Sequence, residues 1–218
     1  MPQLFPKSAN TIARVSILGG VAAIGLAGWG LDAVYWSPYT TRVGVPIEQP
    51  VPFSHKHHAG DDGIDCRYCH ASVETSAFAG IPATETCMTC HSRIFADAPL
   101  LAPVRTSLAT GVPVQWTRVH DLPDFAFFNH SIHVNKGIGC STCHGRVDEM
   151  PLVWKVNTLY MKWCLDCHRQ PERFVRPRSE LFNMAWTPPP DQLAQGRRLL
   201  AEYHVNTAGM ADCGICHR

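Results

Sequence analysis

The chain has 218 residues and a formal net charge of +1, enough length for one domain or two. Its 19 basic residues nearly balance its 18 acidic ones, which excludes a binder built on a basic face and leaves nothing that points to nucleic acid. The compositional signal is ten cysteines and twelve histidines.

Residues 1–36 contain the membrane-length apolar run. No charge occurs from Val15 to Leu31, and the run reaches Trp36 if Asp32 sits near an interface. That length suits one transmembrane helix of about 20 residues or more. Gly20, Val21, Ala22, Ala23, Ile24 and Gly25 offer a small-residue surface for other membrane helices. Trp29, Tyr35 and Trp36 form an aromatic anchor at one interface, and Lys7 and Arg14 lie on the opposite side, so the N-terminus is expected in the cytoplasm and the remainder outside. A cleaved signal peptide has similar composition; the length of the run predicts a retained anchor at residues 15–36. Residues 37–52 carry Pro38, Pro46, Pro50 and Pro52 and read as an extended linker.

Residues 53–98 begin F-S-H-K-H-H and continue with C-R-Y-C-H and C-M-T-C-H. The first motif holds Cys66 and Cys69 followed by His70, and the second holds Cys87 and Cys90 followed by His91. Residues 128–170 repeat the arrangement: F-N-H-S-I-H precedes Cys140 and Cys143 with His144, then Cys164 and Cys167 with His168. A fifth pair, Cys213 and Cys216 with His217, closes the chain in the 171–218 segment. No cysteine falls outside these pairs. Zinc ribbons and disulfide frameworks also use paired cysteines, but neither requires a histidine after each pair. By chance the five histidines would coincide on the order of once in two million, and Cys-x-x-Cys-His is the attachment motif for c-type haem. Five covalently bound haems are therefore expected, held by thioethers to the ten cysteines and ligated from one side by His70, His91, His144, His168 and His217. They would add roughly ten propionate charges. With so few residues per haem, the haems supply most of the core. The expected fold is mainly α and irregular, with little regular structure, behind one N-terminal transmembrane helix.

Residues 99–127 connect the two dihaem modules, and Gly111–Val119 alternates as a short strand would. In residues 171–218, Asp191 is placed to cap a helix running through Leu199, Leu200 and Tyr203 to His204.

The second axial ligands decide between an electron wire and a catalyst, because six-coordinate haem relays electrons and an open position binds small molecules. The repeated F-x-H-x-x-H pattern selects His55, His58, His130 and His133. In each copy the two are three apart, on one face of a helix or tight turn, where they can reach two haems. His57 has Ile132 as its counterpart and is not selected. The fifth distal ligand stays open between His204, nine residues before Cys213, and Met150. Met161, three residues before Cys164, lies too close for its own haem; Met184 is a further candidate and Met210 crowds Cys213. His120, Asp121 and Asp124 cap turns or bond a propionate more readily than they shuttle protons. No catalytic triad or carboxylate pair stands out.

Together, the apolar N-terminal helix, the five motifs, F-S-H-K-H-H, the stretch W-T-R-V-H-D-L-P-D-F-A-F-F-N-H-S-I-H-V-N-K-G-I-G-C-S-T-C-H and M-K-W-C-L-D-C-H-R resemble the pentahaem cytochrome c subunit of alternative complex III. That complex is a bacterial quinol:electron-acceptor oxidoreductase. The halves also resemble small class III (c7-type) cytochromes. The resemblance implies a non-catalytic electron-transfer subunit in a respiratory or photosynthetic complex, at the cytoplasmic membrane with its haem domain on the periplasmic side. Its implied partners are integral membrane quinol-binding subunits that oxidise menaquinol, an iron–sulfur subunit, other cytochrome c subunits, and a soluble or attached acceptor. It also implies distal roles for His55, His58, His130 and His133. The alternatives are a stand-alone quinol dehydrogenase of the tetrahaem type, or a catalytic multihaem reductase with an open haem.

Overall fold

A computed structural model describes residues 4–217. The chain divides into two units, one up to Arg42 and one from Val43. The first unit is helix α1, Ala9–Trp36, followed by the single turn α2, Pro38–Thr41. At 28 residues, α1 is about 42 Å long and exceeds a hydrocarbon core of about 30 Å. It is long and apolar enough to cross a membrane, and none of its residues is buried. Its one acid is satisfied locally, because Trp36 Nε1 donates to Asp32 Oδ1 at 3.1 Å. Ser37 breaks the helix with extended backbone, and Pro38 restarts it at a position where proline's missing N–H costs nothing.

The second unit is built from short helices joined by long irregular segments. In chain order these are α3 (Cys66–Cys69), α4 (Thr84–His91), α5 (Ala102–Thr110), α6 (His130–Asn135), α7 (Cys140–His144), α8 (Met161–Arg169), α9 (Gln192–Glu202) and α10 (Cys213–Cys216). A π-helical turn occupies Lys56–Asp61. All five Cys-x-x-Cys pairs thus sit on helices, where positions i, i+3 and i+4 share a face.

Among the described residues there are no strands, only isolated bridges such as Ala126↔His217 and Ile138↔Val175. The strand expected at Gly111–Val119 does not form. The segment is extended, but Pro113 offers no N–H and its partner is a side chain: Gln49 Nε2 donates to Thr117 O at 2.8 Å, and Thr117 N donates back to Gln49 Oε1 at 2.9 Å. The preceding α5, which composition did not signal, stops at Gly111 with φ +70°, the left-handed closure that glycine allows. Helix α9 forms as expected but without a side-chain cap from Asp191. Gln192 anchors its start instead, donating from Nε2 to the carbonyls of Glu172 and Val175.

The apolar core is fragmented. One cluster joins Val175, Leu199, Leu200 and Tyr203, a second Val51, Leu101 and Val104, and a third Val73, Val134 and Leu181. Meanwhile Phe78, Phe95, Phe125 and Ile132 remain more than half exposed beside the cysteine motifs. A chain this size ordinarily buries its aromatics in one contiguous core, so the space between the clusters suits large apolar groups that are not amino acids.

Candidate haem sites

The repeated pattern becomes repeated geometry. Phe53 lies edge-on to His55, with centroids 4.9 Å apart at 89°, and stacks on His58 at 4.4 Å and 23°. Phe128 treats His130 and His133 alike, at 4.8 Å and 89° and at 4.4 Å and 28°. The first copy carries one more residue between its first histidine and its cysteine pair. It also has a π-helical turn at Lys56–Asp61 where the second has the α-turn of α6. A π turn accommodates one added residue, so both copies hold the phenylalanine–histidine arrangement.

Each of these four histidines faces the histidine of a cysteine motif across a gap. His55 faces His70 with centroids 6.4 Å apart and rings 3° from parallel; His130 faces His144 at 6.4 Å and 11°. His58 lies 6.1 Å from His91, and His133 lies 6.1 Å from His168. Two imidazoles bound to opposite sides of one metal by nitrogens at about 2 Å place their centroids about 6 Å apart. All four gaps fit one iron. Among the described residues, no three His, Cys, Asp or Glu side chains converge on a metal-sized point, unlike a zinc ribbon.

The ring orientations are fixed from behind. Nδ1 donates to a backbone carbonyl in His58 (Ser54, 2.9 Å), His70 (Gly80, 2.7 Å), His91 (Ile94, 3.0 Å), His130 (Ala77, 2.9 Å), His133 (Asn129, 2.7 Å), His168 (Met210, 2.7 Å) and His217 (Phe125, 3.0 Å). This fixes the tautomer and leaves Nε2 free to bind a metal. Burial keeps several of the rings neutral, as a ligand must be. It pushes His55 down to about 4, with help from His70 and His58, and His144 down to about 3, with help from His120, His130, His70 and His55.

The cysteines differ in exposure. Cys66, Cys69, Cys87, Cys140, Cys143, Cys164, Cys167 and Cys216 are partly buried, whereas Cys90 and Cys213 are exposed. At the second motif the reason is local. The apolar cluster of Val51, Leu101 and Val104 takes in Cys87 and Met88 but stops short of Cys90. The Cys90 sulfur instead meets the Thr89 hydroxyl, whose Oγ1 lies 3.9 Å away, and the Cys90 carbonyl accepts from Arg93 N at 2.9 Å. At the fifth motif Cys213 opens the one-turn helix α10, with no buried residue beside it in that turn.

The remaining candidates are placed differently. His57 pairs with Asp62 at 3.4 Å and faces no motif histidine. Met150 is only 2 % exposed and packs beneath the first histidine cluster, where its carbonyl accepts from Lys56 N at 3.0 Å. His204 is exposed just beyond α9, with φ +50°, and its carbonyl accepts from Lys136 Nζ. Met161 opens α8 and is exposed; Met184 is buried. Among the described residues, no histidine ring stands across from His217. His120 lies edge-on to His144 at 4.3 Å, with its buried Nε2 finding no described partner. Asp121 receives Arg118 at 3.3 Å.

One residue escaped the sequence reading. Arg176, 3 % exposed, donates from Nη1 to Ser141 Oγ at 3.1 Å and from Nη2 to Thr142 Oγ1 at 2.8 Å, gripping the middle of the C-S-T-C-H loop. Its guanidinium lies 4.2 Å over the Trp186 ring. Gly139 makes room, since a Cβ there would meet the guanidinium at 2.5 Å. The two hydroxyls inside the motif were the only signal for it.

Comparison with known proteins finds a resemblance for each half of the chain. Residues 126–218 match the family of cytochrome c7 and related cytochrome c, and residues 36–99 match the class III cytochrome C family. A curated relative, the multihaem cytochrome c subunit of menaquinone reductase from Nitratidesulfovibrio vulgaris, is 36 % identical over 110 residues, covering 50 % of this chain and 51 % of the relative. The chain thus spans about half the length of the curated relative it matches. Two separate segments, each holding one copy of the phenylalanine–histidine–cysteine arrangement, are similar to multihaem cytochromes c of the class III and c7 type, families that bind c-type haem covalently.

Proposed function

We propose that the chain is a membrane-anchored pentahaem c-type cytochrome and works as the electron-relaying subunit of a larger quinone-linked complex of the alternative complex III type. The haems, bound through the ten cysteines, supply reversible one-electron iron chemistry. The observation that carries this reading is the set of four histidine pairs with centroids 6.1 to 6.4 Å apart. In it His55, His58, His130 and His133 close the distal faces opposite His70, His91, His144 and His168. Two fixed imidazoles on each of these four irons leave no open position for substrate there and require little rearrangement on reduction. His217 holds the fifth iron proximally. Helix α1 anchors the chain, with the cysteine motifs on the exported side, since Lys7 and Arg14 precede the apolar run. Electrons would arrive from quinol-oxidising membrane subunits or an iron–sulfur subunit and leave to a periplasmic-side cytochrome or other acceptor.

The test is electron paramagnetic resonance and carbon monoxide binding on the haem-loaded protein. Low-spin signals from the four paired sites, without carbon monoxide adducts there, are expected. A high-spin signal at any paired site counts against the relay and for a catalytic multihaem reductase. The isolated subunit should fail to oxidise menaquinol; turnover by the subunit alone would favour a stand-alone quinol dehydrogenase.

The relative from Nitratidesulfovibrio vulgaris, a menaquinone reductase subunit, favours a second reading, in which the complex delivers electrons to menaquinone. Assaying the intact complex in both directions, with menaquinol plus oxidised cytochrome c and with reduced cytochrome c plus a menaquinone analogue, separates the two.

A further inference from the structure

The internal repeat orders the two modules in sequence, but contacts between them order the sites in space. Within the first copy, His55 and His58 stand three apart and face His70 and His91, so the first and second sites are neighbours. The interiors of the two motifs are tied directly: Tyr68 Oη and Thr89 Oγ1 are hydrogen-bonded at 2.8 Å. Within the second copy, His130 and His133 join the third and fourth sites in the same way.

The copies meet through their first motifs. Arg67, inside the first motif, lies over the Phe182 ring at 4.4 Å, and the neighbouring Leu181 carbonyl accepts from Cys140 N at 3.1 Å. The loop after His70 cradles the start of α6. Ala77 O accepts from both N and Nδ1 of His130, Ser76 O accepts from Ser131 N at 3.1 Å, and Glu74 O accepts from Asn135 Nδ2 at 2.8 Å. Val73, just after the first motif, packs with Val134 of α6 and Leu181, so the first site of one copy lies beside the histidine turn that serves the first site of the other. The second motif turns away from this seam: its Cys87 and Met88 pack on the Val51, Leu101 and Val104 cluster, and α4 packs on α5.

The fifth motif joins at the far end of the second copy. His168 Nδ1 donates to Met210 O at 2.7 Å, just ahead of α10, and Phe127 N donates to Cys216 O at 2.7 Å.

We infer that the five attachment sites form one unbranched file in the order Cys87/Cys90, Cys66/Cys69, Cys140/Cys143, Cys164/Cys167, Cys213/Cys216, with the first two motifs transposed relative to the sequence. This rests on the relay reading above and adds to it that the ports are the sites on α4 and α10. The exposed cysteines, Cys90 and Cys213, belong to these two end sites. Four of the sites form a palindrome about the seam between the copies, and the fifth extends one arm.

The test is to locate the irons by anomalous scattering in the haem-loaded complex, assigning each by its thioether-linked cysteines. Four consecutive nearest-neighbour pairs in the stated order are expected, with the largest separation between the irons at Cys87/Cys90 and Cys213/Cys216. An iron at Cys66/Cys69 that terminates the file, or one at Cys213/Cys216 beside either site of the first copy, overturns the order while leaving the relay intact. Fewer than five irons overturns the relay reading and the file together. A solution measurement gives a second arm. Replacing His58 with Met raises the potential of the terminal iron, and among the other four only the midpoint of the iron at Cys66/Cys69 should move. Movement at the Cys140/Cys143 site of comparable size overturns the file.

Discussion

His55 and His70 hold their imidazole rings within 3° of parallel and 6.4 Å apart, with neither ring touching the other. That is the posture of two ligands on one metal. Replacing His55 with Leu removes one ligand and leaves the thioethers at Cys66 and Cys69. The expected outcome is one added high-spin signal in the resonance spectrum and one added carbon monoxide adduct, with the haem still covalently attached. His57→Leu, two residues away, should change neither, because His57 faces Asp62.

Met150 is buried to 2 % exposure beneath the Lys56 backbone. Met150→Ala should cost about 2–5 kcal/mol, as truncations of buried long side chains do, while Met150→Leu should cost less than about 1.5 kcal/mol. Thermal unfolding of the haem-loaded protein measures both. Neither change should alter the iron spectra, which separates a packing methionine from a ligating one.

Arg176 is a buried cation that forms no ion pair with a described carboxylate and grips the loop carrying Cys140 and Cys143. A fixed positive charge in a medium of low dielectric favours the reduced, less positive iron beside it. Arg176→Met should therefore lower the midpoint potential of the iron at Cys140/Cys143, read by potentiometric titration, and leave the iron at Cys87/Cys90 unmoved. It should also lower the melting temperature, since Ser141 and Thr142 lose their donors.

Asp65 caps α3 by accepting Arg67 N at 2.8 Å and pairs with the Arg67 guanidinium at 2.8 Å. The guanidinium hydrogen bond holds the Asp65 carboxyl down at about 2, below its ordinary value of 3.8. Because the folded-state value is depressed, the stabilisation is fully present above about pH 4 and is lost as the pH falls toward 2. An acid-unfolding series comparing the native chain with Asp65→Asn should show a gap that narrows across that window. A gap constant from pH 2 to 5 would mean that the carboxylate charge contributes nothing.

Much of the site could be read from residue order alone. Cysteine pairs followed by histidine are a local signal, and the phenylalanine two and five residues before its histidines is local too; both survive into the geometry. The exposure of Cys90 could not be read, because it is set by the reach of the Val51 cluster, whose buried residues lie outside the motif. The order of the sites was hidden too, because it depends on Ala77, Ser76 and Glu74 offering backbone carbonyls to α6 more than fifty residues later. A carbonyl has no sequence signature. Arg176 was invisible for a similar reason: its partners lie thirty-four and thirty-five residues away. The segment 111–119 misled because alternation signals extended backbone, whereas a strand also needs a backbone neighbour, and here Gln49 supplied side-chain hydrogen bonds instead.

The seam between the copies bears on how the protein is made. In the folded chain the carbonyls of Glu74, Ser76 and Ala77 hold the segment after His70 against α6, and Val73 packs on Val134 and Leu181. A haem offered to the partly buried Cys66 or Cys140 would meet these segments already joined, so attachment is expected before the seam closes. The seam that joins the two halves would then sort chains by whether the cofactor arrived before the fold.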